Sequence, residues 1–240
     1  MPIASPTAEP PRLTWQQALR VYLEPASLRM LMLGFSAGLP LLLVLGTLSF
    51  WLREAGIDRT TIGHLSWVGL AYGFKWVWSP LVDRLPIPLL TRVFGRRRSW
   101  LLLSQLVIMA ALAAMAFTDP KLALTPIVWS ALAVAFASAT QDIALDAYRI
   151  ESASTERQAA LAATYQTGYR LAMIWAGAGV LWIAARAEVA NMAQYQQAAW
   201  QTAYLVMAAS MLVGVVTVLL SPEPVHGAIA PARNLAQWLQ

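Results

Sequence analysis

Long apolar runs alternate with short polar breaks along most of this chain, and length sets the pattern more than amphipathic phase does. A hydrocarbon core of about 30 Å takes about 20 residues of helix to cross. Six runs qualify, at roughly 28–52, 60–82, 99–118, 122–146, 159–185 and 199–220. The breaks are short, so neighbouring helices run antiparallel. The first run begins near Leu28, behind a Pro-dotted leader, and no small-residue cleavage site with a soluble domain follows it. It reads as a true span and not as a removable signal peptide. The predicted organisation is a cytoplasmic leader at 1–27, a six-span bundle at 28–220 and a cytoplasmic linker or tail at 221–240. In the leader, Thr14 with Gln17 matches a capping box. Trp15, Ala18, Leu19 and Tyr22 share one face, which fits a short interfacial helix or a partly ordered tail. Ser221-Pro222-Glu223-Pro224 stops the last helix and opens a linker, as though a further segment should follow.

Composition agrees with this pattern. Hydrophobic residues make up 58% of the chain and charged residues 12%, against roughly 25% charged in a soluble domain. A soluble enzyme and a disordered chain are both excluded. The eleven tryptophans suit membrane interfaces. With no cysteine there is no disulfide, no thiol nucleophile and no Cys-ligated metal. The net charge of +5 does not point to nucleic acid, because its placement records orientation. With the N-terminus inside, Arg12, Arg20, Arg29, Arg84, Arg92, Arg96, Arg97, Arg98, Arg149, Arg157 and Arg233 are cytoplasmic. Only Arg53, Arg59, Lys121 and Arg186 lie outside. That bias predicts both termini in the cytoplasm.

Several motifs carry chemistry. Gly34-Phe-Ser-Ala-Gly38-Leu-Pro40 places two small residues four apart, which allows close helix approach. Pro40 removes a backbone donor and strands the Ser36 carbonyl. A helix break lining a cavity and plain helix packing both remain open. Between the second and third runs stand Ser79-Pro80-Leu81-Val82-Asp83-Arg84 and then Gly95-Arg96-Arg97-Arg98. An acid at one helix end and an Arg cluster at the next helix start fit a cytoplasmic charge latch formed by Asp83, Arg84, Arg96, Arg97 and Arg98. Lipid anchoring would account for the arginines but not for Asp83. In the fourth run Ser138, Gln141, Asp142, Asp146 and Arg149 fall on one helical face. Asp142 and Asp146 are one turn apart, so they resist being ionised together. Asp146 and Arg149 fit the headgroup zone equally well. Arg170 lies about twelve residues inside the fifth run, on the order of 18 Å deep at 1.5 Å per residue. At that depth a cation needs a counter-charge, and Asp142 is the expected partner. Gln166, Tyr165 and Tyr169 surround Arg170 with donors and aromatic faces, while Gly168, Ala172 and Ala176 form a packing stripe. Lys75 is a further candidate near the end of the second run. Neither His64 nor His226 has partners suggesting acyl transfer, and no phosphate loop or metal motif stands out.

The Asp-Arg and Gly-Arg-Arg-Arg loop resembles the signature of the major facilitator superfamily, with Ser79 in place of a glycine and a longer intervening segment. The loop, the Gly34–Pro40 block, Phe74-Lys75-Trp76-Val77-Trp78, Ser138-Ala-Thr-Gln141-Asp142-Ile-Ala-Leu-Asp146-Ala-Tyr148-Arg149 and Gly168-Tyr169-Arg170-Leu171 together resemble the AmpG-type muropeptide permeases of that superfamily. The resemblance covers roughly residues 28–224. It implies an all-α membrane fold, the N-terminal six-span half of a twelve-span carrier. It also implies proton-driven import of anhydro-muropeptides across the bacterial inner membrane for cell-wall recycling. Asp142 and Asp146 would carry protons, while Gln141, Tyr165, Tyr169, Arg170 and Lys75 would meet the solute. No cofactor, metal or enzymatic activity is expected. Expected partners are the solute, protons, membrane lipid, and a second six-span half or another copy of the chain. The competing expectations are a carrier of another large anionic solute, such as an acyl-CoA, and a non-transporting membrane subunit.

Overall fold

The computed structural model describes residues 20–188 and 195–224. Arg20–Leu23, with Tyr22 of the predicted interfacial helix, are helical. Residues 14–19 of that helix, and the tail with His226 and Arg233, lie outside the described residues. Within them the chain is helical throughout, with no strand. Five helices are long and apolar enough to cross a membrane: α1 (Pro25–Glu54), α6 (Arg96–Ala116), α7 (Leu124–Glu151), α8 (Arg157–Ala187) and α9 (Gln197–Leu220). Shorter helices lie between α1 and α6: α2 (Arg59–Leu65), α3 (Leu70–Gly73), α4 (Ser79–Arg84) and α5 (Leu90–Phe94).

The predicted second span, 60–82, is therefore not one helix. It is α2, a 3₁₀ stretch at Ser66–Gly69, α3, a second 3₁₀ stretch at Lys75–Val77, and α4. Apolar content predicted a span, but backbone preference breaks it. Gly63, Gly69 and Gly73 each cost a helix about 1 kcal/mol relative to Ala. Pro80 is accepted only because it opens α4, where no N–H is needed. Tertiary packing does not overrule these preferences. Only Val68, Ala71 and Val82 of the segment are buried, and most helical stability comes from a packed face.

Polar contacts gather the helix ends at two poles. At the near pole, Glu24 just before α1 pairs with Arg157 of α8 at 3.1 Å. Asp83 of α4 and Glu151 of α7 both reach Arg97 of α6 at 2.7 Å, and the Tyr148 hydroxyl donates to the Pro222 carbonyl beyond α9 at 3.0 Å. At the far pole, the Trp51 indole N–H donates to the Tyr195 hydroxyl at 3.1 Å. Tyr195 in turn donates to Asp119 at 3.2 Å, and Gln197 donates to the Ala116 carbonyl at 2.9 Å. The segment 59–84 thus starts just after the far-pole end of α1 and finishes at the near-pole Arg97.

Helix α1 packs most extensively against α8, and also against α9 and α7. Glycine makes the first contact possible. A Cβ on Gly34 would meet the Tyr165 carbonyl, one on Gly38 the Tyr169 carbonyl, and one on Gly168 the Leu31 carbonyl. Backbone therefore lies on backbone, as small-residue interfaces allow. Gly34 and Gly38 are packing residues here, and α1 remains α-helical through Pro40 to Leu42. The expected break appears three residues after Pro40, as a π-helical turn at Leu43–Thr47. A second π turn, Trp175–Gly179, interrupts α8. The two turns touch, with the Thr47 hydroxyl donating to the Ala176 carbonyl at 2.7 Å. The Tyr204 hydroxyl donates to the Leu43 carbonyl at 3.0 Å. Side chains thus satisfy carbonyls that the wider turns expose. Beyond them the core closes over Trp51, which stacks on Trp200 at 5.8 Å and 9°.

Candidate functional site

Asp142 sits two-thirds of the way along α7, with its side chain 16% exposed. Its Oδ2 lies 3.8 Å from Lys75 Nζ, whose side chain is 38% exposed. Its Oδ1 is buried without a hydrogen-bond partner. Lys75 belongs to the 3₁₀ stretch between α3 and α4, and Trp78 holds that stretch against α7. The Trp78 N–H donates to Thr140 Oγ1 at 3.2 Å, and its ring lies 5.1 Å from that of Phe136. The irregular backbone of 59–84 thereby brings a cation to the acid of α7. Tyr72, Tyr165, Tyr169 and Asp146 lie within electrostatic reach of the same carboxylate. The rings of Tyr165 and Tyr169 stand 6.0 Å apart at 51°. The buried Tyr72 hydroxyl faces Ser138 of α7. Asp146, one turn nearer the pole, is 52% exposed and 3.5 Å from Arg149.

Two expectations change here. The cation beside Asp142 is Lys75, not Arg170. Arg170 is exposed on α8, on the same face as Gln166 and Thr167. The cause is rotational. Gly168 is buried against the Leu31 carbonyl and Ala172 against Gly38. Two residues from either, at about 100° per residue, Arg170 points away from α1. Gln141 also leaves the expected solute face. It is fully buried, and its Nε2 donates to Ser36 Oγ at 3.2 Å. Gln105 Nε2 approaches the same oxygen at 3.4 Å. This amide pair braces α1, α6 and α7 inside the bundle.

At the near pole the structure brings Asp83, of the charges named for the latch, onto Arg97, whose side chain is 4% exposed. Its Nη1 donates to Asp83 Oδ1 at 2.7 Å, and its Nη2 to Glu151 Oε1 at 2.7 Å. Its Nε lies 3.2 Å from both Glu151 oxygens. Asp83 is 28% exposed and Glu151 only 5%. Arg98 turns the other way, donating to the carbonyls of Val218 at 2.9 Å and Leu219 at 2.8 Å. Glu223 accepts from the backbone N–H groups of Arg97 at 2.8 Å and Arg98 at 3.1 Å. The start of α6 and the end of α9 thus cap each other. Arg96 lies among the same charges, and Arg84 is half-buried at the end of α4. Sequence reasoning missed Glu151 and Glu223. Glu151 lies in the last turn of α7, five residues beyond the predicted fourth run, and no signal pointed to Glu223.

Among the described residues no group of three or more His or acidic side chains could hold a metal. The arrangement can instead bind anions and hold a proton. A carboxylate flanked by an ammonium on one oxygen and by nothing on the other exchanges ion-pairing for protonation at small structural cost.

Comparison with known proteins gives relatives named as permeases and transporters. The chain is 42% identical over 208 residues to the anhydromuropeptide permease of Escherichia coli (strain K12), a match that covers 87% of this chain and 40% of that protein. It is 42% identical over 152 residues, 63% of this chain and 36% of the relative, to a transporter named AmpG 4 from Rickettsia felis. The chain thus spans about two-fifths of the length of the curated relatives it matches. The sequence model of the family described as Acetyl-coenzyme A transporter 1 matches residues 27–220. With membrane-crossing helices, similarity to permeases and a family match over most of its length, the chain is a multi-pass membrane protein and belongs to the acetyl-coenzyme A transporter 1 family.

Proposed function

We propose that the chain forms the N-terminal, six-span half of a major facilitator carrier in the bacterial inner membrane, importing anhydro-muropeptides with protons for cell-wall recycling. The observation that carries this reading is the Lys75–Asp142 pair, in a chain 42% identical to an anhydromuropeptide permease. The segment 59–84 acts as the sixth span despite its broken helix. Its ends lie near opposite poles, and its 3₁₀ stretches rise faster per residue than α-helix. Six crossings keep both termini on one side, and the arginine bias makes that side the cytoplasm.

Lys75 and Arg170 supply cationic anchors for the carboxylates of a peptide stem, and Tyr165 and Tyr169 supply faces for sugar rings. In the empty site, ionised Asp142 neutralises Lys75. An arriving carboxylate takes Lys75, and Asp142 then carries a proton instead, because an unpaired charge at this depth costs several kcal/mol. Solute and proton therefore travel together. Arg170, Gln166 and Thr167 would meet lipid if the chain stood alone, so a second bundle or a second copy covers them. Asp83, Arg97 and Glu151 form a cytoplasmic latch whose opening accompanies the change of access. The family match favours one alternative, an acyl-CoA-type solute, which the same cationic anchors would suit.

Uptake of labelled anhydro-muropeptide into membrane vesicles, with and without a proton gradient, tests the reading. Wild-type vesicles should accumulate solute only with the gradient. Asp142→Asn should still equilibrate it without concentrating it, and Lys75→Gln should lose affinity. Concentrative uptake by Asp142→Asn would refute the proton role, and preference for acetyl-CoA would select the alternative.

A further inference from the structure

The far pole carries a cationic pocket that the transport reading does not use. A cavity of about 250 Å³ lies between the last turns of α1 and the start of α2, lined by Ser49, Phe50, Arg53, Arg59 and Ile62. Its lining is mainly apolar, and two arginines from two different elements, Arg53 and Arg59, are among the residues that line it. The acids beside them are engaged elsewhere. Both Asp58 oxygens are taken by Thr61, one by its backbone N–H at 2.9 Å and the other by its hydroxyl. Glu54 lies on the Tyr195 side, within that residue's electrostatic reach. Among the described residues, neither Arg53 nor Arg59 has an ion-pair partner. Two unneutralised arginines at this pole also run against the orientation bias of the chain, which leaves only four basic residues there.

We infer that this pocket binds one anionic phospholipid of the outer leaflet, its phosphate between Arg53 and Arg59 and the upper part of an acyl chain along Phe50 and Ile62. Three features favour a lipid over a small anion. Arg53 is the penultimate residue of a membrane-crossing helix, the level at which headgroups lie. The pocket wall is mainly apolar, where a free anion would need polar walls on several sides. The cavity is open at the side, and the exposed Phe50 continues its floor onto the lipid-facing surface. Guanidinium suits a phosphate because its planar donors match two oxygens at once. The ligand would tie the end of α1 to the start of α2 across the turn at Ala55–Asp58.

The full chain, purified into phosphatidylcholine nanodiscs with a small fraction of phosphatidylglycerol, provides the test. Native mass spectrometry of the released protein should detect one retained phosphatidylglycerol. Arg53→Gln with Arg59→Gln should weaken retention about 25-fold, the sum of two near-surface charges. Arg53→Lys with Arg59→Lys should keep part of it, and this pair guards against misfolding of the neutral variant. Arg186→Gln removes a charge outside the pocket, from an arginine stacked 5.2 Å over Trp182. It should leave retention unchanged. Equal loss in Arg186→Gln would mean general basic attraction and overturn the site. Displacement of the lipid by millimolar inorganic phosphate would make it a small-anion site and overturn the lipid assignment, as would undiminished retention in the neutral variant.

Discussion

Replacing Arg97 tests the near-pole charges most directly, because its guanidinium serves two acids of unequal burial. Arg97→Gln leaves Glu151 almost fully buried and unpaired, and removing one partner of a buried pair costs about 3–5 kcal/mol. Glu151→Gln is milder, because Arg97 keeps Asp83 and the new amide can still accept one hydrogen bond. The loss should fall near 2 kcal/mol, the worth of hydrogen bonds to a charged group. Asp83 is 28% exposed, so water screens it, and Asp83→Asn should cost about 1 kcal/mol or less. The expected order is Arg97→Gln, then Glu151→Gln, then Asp83→Asn. Arg97→Met combined with Glu151→Leu removes both buried charges and should recover most of the loss, since well-packed apolar replacements of buried pairs are often neutral. Reversible unfolding in mixed micelles with increasing dodecyl sulfate would give all four values. If Asp83→Asn cost as much as Arg97→Gln, or if the double variant were worse than either single one, the burial argument would fail.

Gly168→Ala drives a Cβ into the Leu31 carbonyl and should cost about 1–3 kcal/mol as overpacking. Gly73→Ala, with nothing within 4 Å, should be neutral or slightly stabilising, and the reverse order in the same assay would contradict the α1–α8 contact. Thr47→Val and Tyr204→Phe each leave a π-turn carbonyl without its side-chain donor and should cost about 1–3 kcal/mol. Thr47→Val should also speed amide exchange around Trp175–Gly179, and unchanged exchange would mean that the hydroxyl does not brace the turn. Hydrogen bonds from the Thr61 hydroxyl and backbone hold the Asp58 carboxyl below its ordinary range. A depressed acid stabilises the folded form above its unfolded pKa and loses that contribution as pH falls through the folded value. The start of α2 should therefore loosen only below about pH 4, while Asp58→Asn shows no pH dependence there. The Thr61 amide resonance reports both.

Five membrane-crossing helices were readable because a span is a statement about length and apolarity, and both are local. The segment 59–84 was not, because hydropathy is blind to how Gly69, Gly73 and Pro80 break a helix with little packing to hold it. The partner of Asp142 was misassigned for a related reason. Helical spacing gives the position of Arg170 along α8 but not how α8 is rotated, and the Gly168–Leu31 contact decides that. Lys75 was visible as a candidate, but only the 3₁₀ stretch swings it to Asp142. Asp83 and Arg97 are 14 residues apart across one loop, so their meeting could be anticipated. Glu151 and Glu223 lie 54 and 126 residues from Arg97, and no spacing rule reaches that far.

The same separation has a consequence for the order in which the protein is made. The carboxylate that caps α6 arrives 126 residues after the amide of Arg97. At about 5–20 residues per second, α6 waits roughly 6–25 s for it. In that interval the first amides of α6 and the side chain of Arg98 depend on water or lipid headgroups. When α9 is complete, Glu223 and Arg98 close two helix ends in one step. The near pole is therefore the last part of the bundle to assemble. A nascent chain that stalls before residue 223 can hold its helices in the membrane, yet it leaves this pole open to the insertion and quality-control machinery.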